Sequence, residues 1–360
     1  MKITKKFKKL FFIIYSKFFI RIKIKEGFLK KSGGKFRCLF VNDSSFNQQL
    51  ALKIFQFEPE IIENKRILIH FLRKYIESVK SEIDLCIAEL PEKYEKKISN
   101  LITFKSKGLV SQFVYLNSDK TRSKVKKRLK EIERIIRKYD LKYQISYEIE
   151  DLKWFYENMY LPYAKKRFNN FANIEDFEKM IKIFKKGFLL FIIKENLKIA
   201  GSLNYIKDKV FIGHKIGVLN GNLEYLKFGT LMANYYYSYR YAEKNNINKI
   251  DLGESLSILD DKIFLHKREF GAEVFPYNKG NSWIYYCNVN PNKRFIYFLE
   301  ECPIISYSEK GLIGMIGNTQ ISSFKEDIKN MISKKYYSPG LAIIKIIQNE
   351  QREPYKIDYS

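Results

Sequence analysis

The chain is short of the residues that most metal and disulfide chemistry requires. Its 360 residues include four cysteines, Cys38, Cys86, Cys287 and Cys302, and three histidines, His70, His214 and His266. No two cysteines form a C-x-x-C pair, and no histidine lies at ligand spacing from two of them. That pattern argues against a structural zinc site, and no metal is expected. Free thiols fit a reducing cytosol, so a cytoplasmic location is expected. A long apolar run is also missing. Residues 10–20, LFFIIYSKFFI, are too few to span a bilayer and include Lys17. They also make a poor signal peptide, because the chain continues as RIKIKEGFLKK with no small-residue cleavage site. Acid is scarce as well: 40 Asp and Glu stand against 66 Lys and Arg, a formal net charge of +26.

What is present is ample apolar material. Hydrophobic residues make up 46% of the sequence, which supports a real core. The length suits two domains of ordinary size. The excess of positive charge has two readings. One is a Lys-rich composition with no functional meaning. The other is a polyanionic partner: an anionic bilayer, tRNA, or a nucleotide-carried donor. Eleven Lys or Arg and a single acid, Glu26, fall in the first 31 residues, interleaved with aromatics. Residues 1–35 therefore read either as a basic amphipathic anchor on the inner face of a membrane or as a helix packed on the body.

Periodicity places the remaining elements. A helix is expected over 65–79 and a strand over 108–116. An amphipathic helix is expected over 123–138, with Val125, Leu129, Ile132 and Ile136 on one face and eight Lys or Arg elsewhere. A strand at 143–149 and a helix at 150–163 ending near Pro162 follow. Next comes a helix at 173–185 capped by Asn173. Strands are expected at 188–193, 199–206 and 210–218, with turns at Glu195-Asn196 and Lys207-Asp208. A helix opens at Phe228-Gly229 and carries Tyr235, Tyr236, Tyr239 and Tyr241. A strand at 249–252 ends in Asp251-Leu252-Gly253, and a further helix closes on Lys267-Arg268-Glu269-Phe270-Gly271. Two more strands reach Tyr285-Tyr286. The pattern G-x-x-G-x-x-G at 311–317 reads as loop chemistry rather than a nucleotide site. Residues 289–360 are left as a C-terminal extension without an assigned role.

Helix, strand, Asp-Leu-Gly, helix and Lys-x-x-Phe-Gly, in that order, resemble the C-terminal half of a GNAT-fold acyltransferase, in the branch of the Fem-type peptidyltransferases and FemAB-like acetyltransferases. The resemblance implies a mixed α+β fold over 142–288, with a central mixed sheet and two splayed strands, 210–218 and 249–252. It implies a degenerate α/β domain of related build over 36–141, ahead of it. It also implies an acyl donor, acyl-CoA such as acetyl-CoA or else aminoacyl-tRNA, and transfer of the acyl group to an amine or hydroxyl. The acceptor would be a small molecule, or a glycan or peptidoglycan-precursor group of the cell envelope. Aligned on the family's CoA loop, only Gly229 keeps its glycine, while Glu224 and Lys227 replace the other fingerprint positions.

Candidate residues follow. Lys227, Phe228, Gly229 and Thr230 open a helix, whose free N–H groups suit a donor phosphate. Asp251 ends a central strand and reads as a proton acceptor or as a cap on the turn at Gly253. Glu254 is a second candidate base. Lys267 matches the family lysine beside the donor, and its other reading is a surface lysine. Arg167 matches a family arginine that would clamp an acceptor anion. His214, placed with the acceptor, and His266 are possible acid–base groups or packed side chains. The competing function is a non-catalytic membrane-surface or nucleic-acid binding protein on an eroded GNAT scaffold.

Overall fold

The computed structural model describes residues 18–116, 119–168, 174–289, 293–319, 326–348 and 354–359. Within these, the fold is mixed α+β with mixed sheets. It divides into two compact units that are not consecutive stretches of chain. Unit 1 is Met1–Val110, Ser255–Phe264 and Pro276–Ser360, and unit 2 is Ser111–Glu254 with Leu265–Phe275. Strands are numbered in chain order.

In unit 1, β1 (Phe19–Phe28) pairs antiparallel with β2 (Lys35–Val41) on one side and β3 (Glu60–Leu68) on the other. Ile20, Ile22 and Ile24 are buried and alternate with Arg21, Lys23 and Lys25, a period of two that only a strand satisfies. The expected anchor over 1–35 is therefore corrected in its second half, where sheet pairing claims the residues; its first 17 residues lie outside the described ones. The helix expected over 65–79 is likewise corrected. Residues up to Leu68 belong to β3, and only Leu72–Val79 is α-helical. The six-stranded sheet has the order β3-β1-β2-β4-β13-β5, with β4 at Leu85–Pro91, β5 at Phe104–Ser106 and β13 at Ser282–Cys287.

The unassigned tail folds too. Strands β14 (Ile304–Ser308), β15 (Gly311–Gly317), β16 (Leu341–Ile347) and β17 (Tyr355–Asp358) form a four-stranded sheet. The glycine-rich stretch is β15 itself, not a loop. A Cβ on Gly317 would lie 2.1 Å from the carbonyl of Ile296, so the glycine lets the helix Lys293–Glu301 approach the strand.

Unit 2 holds a seven-stranded sheet of order β12-β6-β11-β10-β9-β8-β7. Its strands are β6 (Leu109–Tyr115), β7 (Lys142–Ser146), β8 (Gly187–Lys194), β9 (Leu197–Lys207), β10 (Val210–Val218), β11 (Lys249–Leu256) and β12 (Glu273–Pro276). Glu195, Asn196, Asp208 and Lys209 all take positive φ, which makes the two hairpin turns tight. Val125, Leu129 and Ile132 of the helix Asp119–Lys138 share one apolar cluster with Phe188, Leu190 and Phe211. Thus β6 and this helix, expected in the N-terminal domain, belong to unit 2, while β13 lies outside it.

The helix read over 150–163 does not stop at Pro162. It runs from Ile149 to Phe155, widens into a π turn at Tyr156–Tyr160, and resumes at Leu161–Phe168. The wider turn has Leu161 N–H donate to Tyr156, five residues back. Pro162, which has no N–H to give, is then tolerated at the second position of the new segment. Phe177–Phe184 forms the next helix, with Asp176 at its N-cap position. Asn173, expected as the cap, lies outside the described residues.

Candidate functional site

The site begins where two parallel strands part. β10 and β11 pair only at Val210–Lys249, Phe211–Ile250 and Ile212–Asp251, and then separate. Meanwhile β10 stays paired with β9 as far as Val218. The register between β9 and β10 slips between Gly213 and Lys215, so His214 is the extra residue of a bulge at the point of parting. A Cβ at Gly213 would have no neighbour nearer than 3.8 Å. Gly217, by contrast, must be glycine: a Cβ there would come within 2.6 Å of the Met159 backbone. That close approach seats the π turn on β10.

The π turn carries two tyrosines that fix Glu175. Tyr156 Oη donates to the Glu175 carbonyl at 3.0 Å, and the Glu175 N–H donates to Tyr160 Oη at 2.9 Å. Glu175 Oε2 then lies 2.5 Å from His214 Nε2 and 3.5 Å from Lys215 Nζ. Burial works against the charge of Glu175, but the hydrogen bond from His214 and the Lys215 ammonium outweigh it and hold the carboxyl below its usual range. Burial pushes His214 down, opposed by Glu175, so the imidazole is neutral near pH 7. With Glu175 ionised, Nε2 carries the proton and Nδ1 keeps a lone pair. The charge of Glu254 reaches His214; β11 runs on to Leu256, so Asp251 and Glu254 lie within the strand, and Asp251 does not end it as expected.

On the β11 side, Asp251 Oδ1 accepts from the Gly253 N–H at 2.7 Å, and Gly253 has φ of 75°. The turn-capping reading of Asp251 is therefore present in the structure. Lys267 is not a surface lysine: it is 4% exposed, and its Nζ donates to the carbonyls of Gly253 (3.1 Å) and Glu254 (2.8 Å). Asp251 and Lys267 thus hold the same turn, one through its N–H and the other through its carbonyls. Glu254 itself is exposed.

The helix Thr230–Lys244 opens after Gly229, whose φ is 75°. A Cβ on Gly229 would meet Ile135 at 2.6 Å. Thr230 is fully buried and donates to the Tyr225 carbonyl, while Phe228 packs against Tyr139 and Tyr225. Lys227 is exposed and pairs with Glu224 on the surface. His214, Glu254, Asp251 and Lys267 gather where the strands part; Lys227, Phe228 and Thr230 do not join them.

A second group forms around His266, on the helix Lys262–Glu269. Its ring lies 5.1 Å from that of Tyr235, and Tyr235 lies 5.1 Å from Phe270. Burial, and then the charges of Arg128, Arg167 and Lys267, hold His266 down to about 4. Arg167 donates to Tyr163 Oη, and its guanidinium lies 5.4 Å from that ring centre. Glu175, Lys215 and the tyrosines at 156, 160, 163 and 235 are site residues that sequence reasoning missed. The advance signs were the spacing of Tyr156 and Tyr160, one helical turn apart, and the aromatic residues that include Tyr235 on the helix after Gly229.

Elsewhere in unit 2, a polar groove of about 660 Å³ is lined by Lys126, Lys130, Arg240 and Asn248, among others. Among the described residues no group of three or more His, Cys, Asp or Glu could hold a metal ion. No helix among them is long and apolar enough to cross a membrane.

No family model matches the chain. No curated protein matches it either. Several solved structures are similar to it. FemX is 13% identical, with 77% of this chain and 86% of that one covered and a TM-score of 0.37. L-PGS from Bacillus licheniformis is 11% identical, with 76% and 87% covered and a TM-score of 0.32. A GCN5-related N-acetyltransferase from Sphaerobacter thermophilus is 7% identical, with 71% and 74% covered and a TM-score of 0.31. Likeness at these scores carries no weight for activity.

Proposed function

We propose that this chain is an acyltransferase. It would move an acyl group from acyl-CoA or aminoacyl-tRNA to an amine or hydroxyl of a polar acceptor, such as a cell-envelope precursor or a polysaccharide amino sugar. The observation that carries the reading is the pair of strands that parts after three residues, with a carboxylate-oriented His214 on the bulge of one and Asp251, Gly253 and Lys267 joined by hydrogen bonds at the other.

Direct transfer suits that arrangement. The acceptor amine attacks the donor carbonyl, and His214 Nδ1 takes the amine proton as the tetrahedral intermediate forms. Glu175 orients the ring and offsets its new charge. Backbone N–H groups of the bulged strand supply oxyanion donors. Collapse expels the thiolate or the ribose alkoxide, which recovers a proton from the imidazolium.

Thiol release from acetyl-CoA with a panel of amines, run beside label transfer from aminoacyl-tRNA, tests this. His214→Ala and Glu175→Gln should lower kcat at least about a hundredfold with KM changed less than about threefold. Variants as active as the wild type would overturn the assignment of the base.

One observation favours the non-catalytic reading: Lys126, Lys127, Lys130, Arg134, Arg137 and Lys138 are all exposed on a single helix. If neither donor reacts, and binding to anionic liposomes or tRNA falls steeply with salt, that reading replaces the enzyme. Liposome binding also tests the expected place on the inner membrane face.

A further inference from the structure

A glycine inside a strand weakens it and marks a place where something approaches closely. Gly27, Gly187, Gly201, Gly217, Gly314 and Gly317 have such a neighbour: a Cβ on any of them would meet an atom at 3.0 Å or less. Gly213, on β10 beside His214, is different. It does not take positive φ. Among the described residues, a Cβ there would come near only Asn204 Oδ1, at 3.8 Å, and the Asp251 carbonyl, at 3.9 Å. Neither its backbone conformation nor its packing asks for glycine. The space over it opens where β10 and β11 have just parted.

Buried polar side chains border that space. Asn204 stands opposite Gly213 in the β9–β10 ladder and is 1% exposed. Its Nδ2 donates to the Ser202 carbonyl at 3.1 Å and to Ser202 Oγ at 2.8 Å. A carbonyl can only accept, so the amide is fixed with its nitrogen toward Ser202 and its oxygen turned away. Asn234, on the helix Thr230–Lys244, donates to the same Oγ at 2.9 Å and steadies it. Among the described residues no donor reaches Asn204 Oδ1. A buried acceptor held in place without a donor marks where a ligand atom or a water belongs. Both oxygens at the space are acceptors, so they disfavour a carbonyl or a phosphate there and favour an N–H.

We propose that the space over Gly213 is a subsite for an N–H group of the substrate, received by Asn204 Oδ1. The proposal rests on the acyltransfer reading and narrows its substrate: the molecule held between the strands carries an N–H near the acyl group, since Gly213 adjoins His214. Two sources supply such a group, the amide of a thioester's arm and the α-amine of an aminoacyl ester. Two pairs of probes that differ only at that group test it, by calorimetry on the full chain. S-acetyl-N-acetylcysteamine carries the amide, and its oxygen ester analogue lacks the N–H. The alanyl ester of adenosine carries the amine, and the propionyl ester lacks it.

In one pair, loss of the N–H should weaken binding about tenfold, and the pair that shows it names the source. That penalty should vanish in Asn204→Ala, where Ser202 Oγ keeps its bond from Asn234. Gly213→Ala, whose Cβ has room, should melt no lower than the wild type. It should nevertheless weaken the N–H probe about tenfold, and raise KM more than it lowers kcat, because the methyl group takes the place of the ligand. If Asn204→Ala does not fold, the wild-type pairs and Gly213→Ala still decide. No N–H dependence in either pair, no binding of any probe, or unchanged affinity in Gly213→Ala overturns the subsite. Failure of the acyltransfer reading would look different: the N–H dependence would remain, but neither the thioester nor the aminoacyl ester would be turned over.

Discussion

At Asp251 the turn and the chemistry can be separated by substitution. Asn keeps an oxygen for the Gly253 N–H, so Asp251→Asn should change stability by less than about 1 kcal/mol, while Asp251→Ala loses the cap and should cost about 1 kcal/mol. If turnover falls equally in both, the carboxylate acts in the reaction; if only the alanine variant is slow, the turn is its whole role. Chemical denaturation and kcat measured side by side decide. His266 gives a pH signature of the opposite kind to a paired carboxylate. Its folded value of about 4 lies below the ordinary value of about 6.5, so the unfolded chain binds the proton more readily. Its contribution is therefore present above pH ~6.5 and is lost as pH falls toward 4, by an amount on the order of 2–3 kcal/mol. His266→Asn should flatten that part of the stability profile; an unchanged slope between pH 6.5 and 4 would contradict it. The Asp251 cap was legible in the sequence, because Asp-x-Gly is turn chemistry. Glu175 was not: 39 residues separate it from His214, and only the folded sheet and the π turn join them.

At the scale of elements, β8 to β11 were legible because apolar periodicity and the turns read at Glu195-Asn196 and Lys207-Asp208 agree on them, the second lying one residue further on, at Asp208-Lys209. β3 was not. It is an edge strand, largely exposed, so its Ile61 and Ile62 follow no burial rhythm, and Lys65–Leu68 reads as easily as the start of a helix. β1 was obscured by its charge, although Ile20, Ile22 and Ile24 alternate strictly. Deleting residues 2–31 should therefore abolish folding of unit 1, whereas deleting 2–17 leaves β1 in the chain; circular dichroism and proteolysis of the two truncations check this. The π turn left no trace in the sequence beyond its tyrosines. Its seat is testable at Gly217, where alanine would drive a Cβ into the Met159 backbone. Gly217→Ala should cost about 1–3 kcal/mol and move Glu175 away from His214, so activity should fall along with the denaturation midpoint.

For the whole molecule, boundaries were the least legible feature. Cuts at 35, 141 and 288 follow the order of the chain, but the compact units are assembled from separated stretches. Nothing in the composition of β6 or β13 says which sheet it joins, since sheet partners are chosen by tertiary packing. A fragment of residues 142–288 would lack β6 and the helix Asp119–Lys138, exposing one side of β11 and the apolar face that Val125, Leu129 and Ile132 cover. Such a fragment should aggregate on expression, whereas a fragment of residues 109–276 should give a more soluble and more cooperatively melting product.

The position of β13 also sets a clock for the nascent chain. Cys287 pairs opposite Cys86, about two hundred residues upstream, and Leu85 to Ala88, on the strand that β13 joins, are fully buried in the folded chain. At ribosomal speeds of ~5–20 residues per second, the first half of that sheet waits roughly 10–40 s for its missing strand. Throughout that interval an apolar strand edge is bare, which calls for a chaperone at the tunnel exit and makes slow refolding from denaturant, governed by this one distant pairing, the expected behaviour in the test tube.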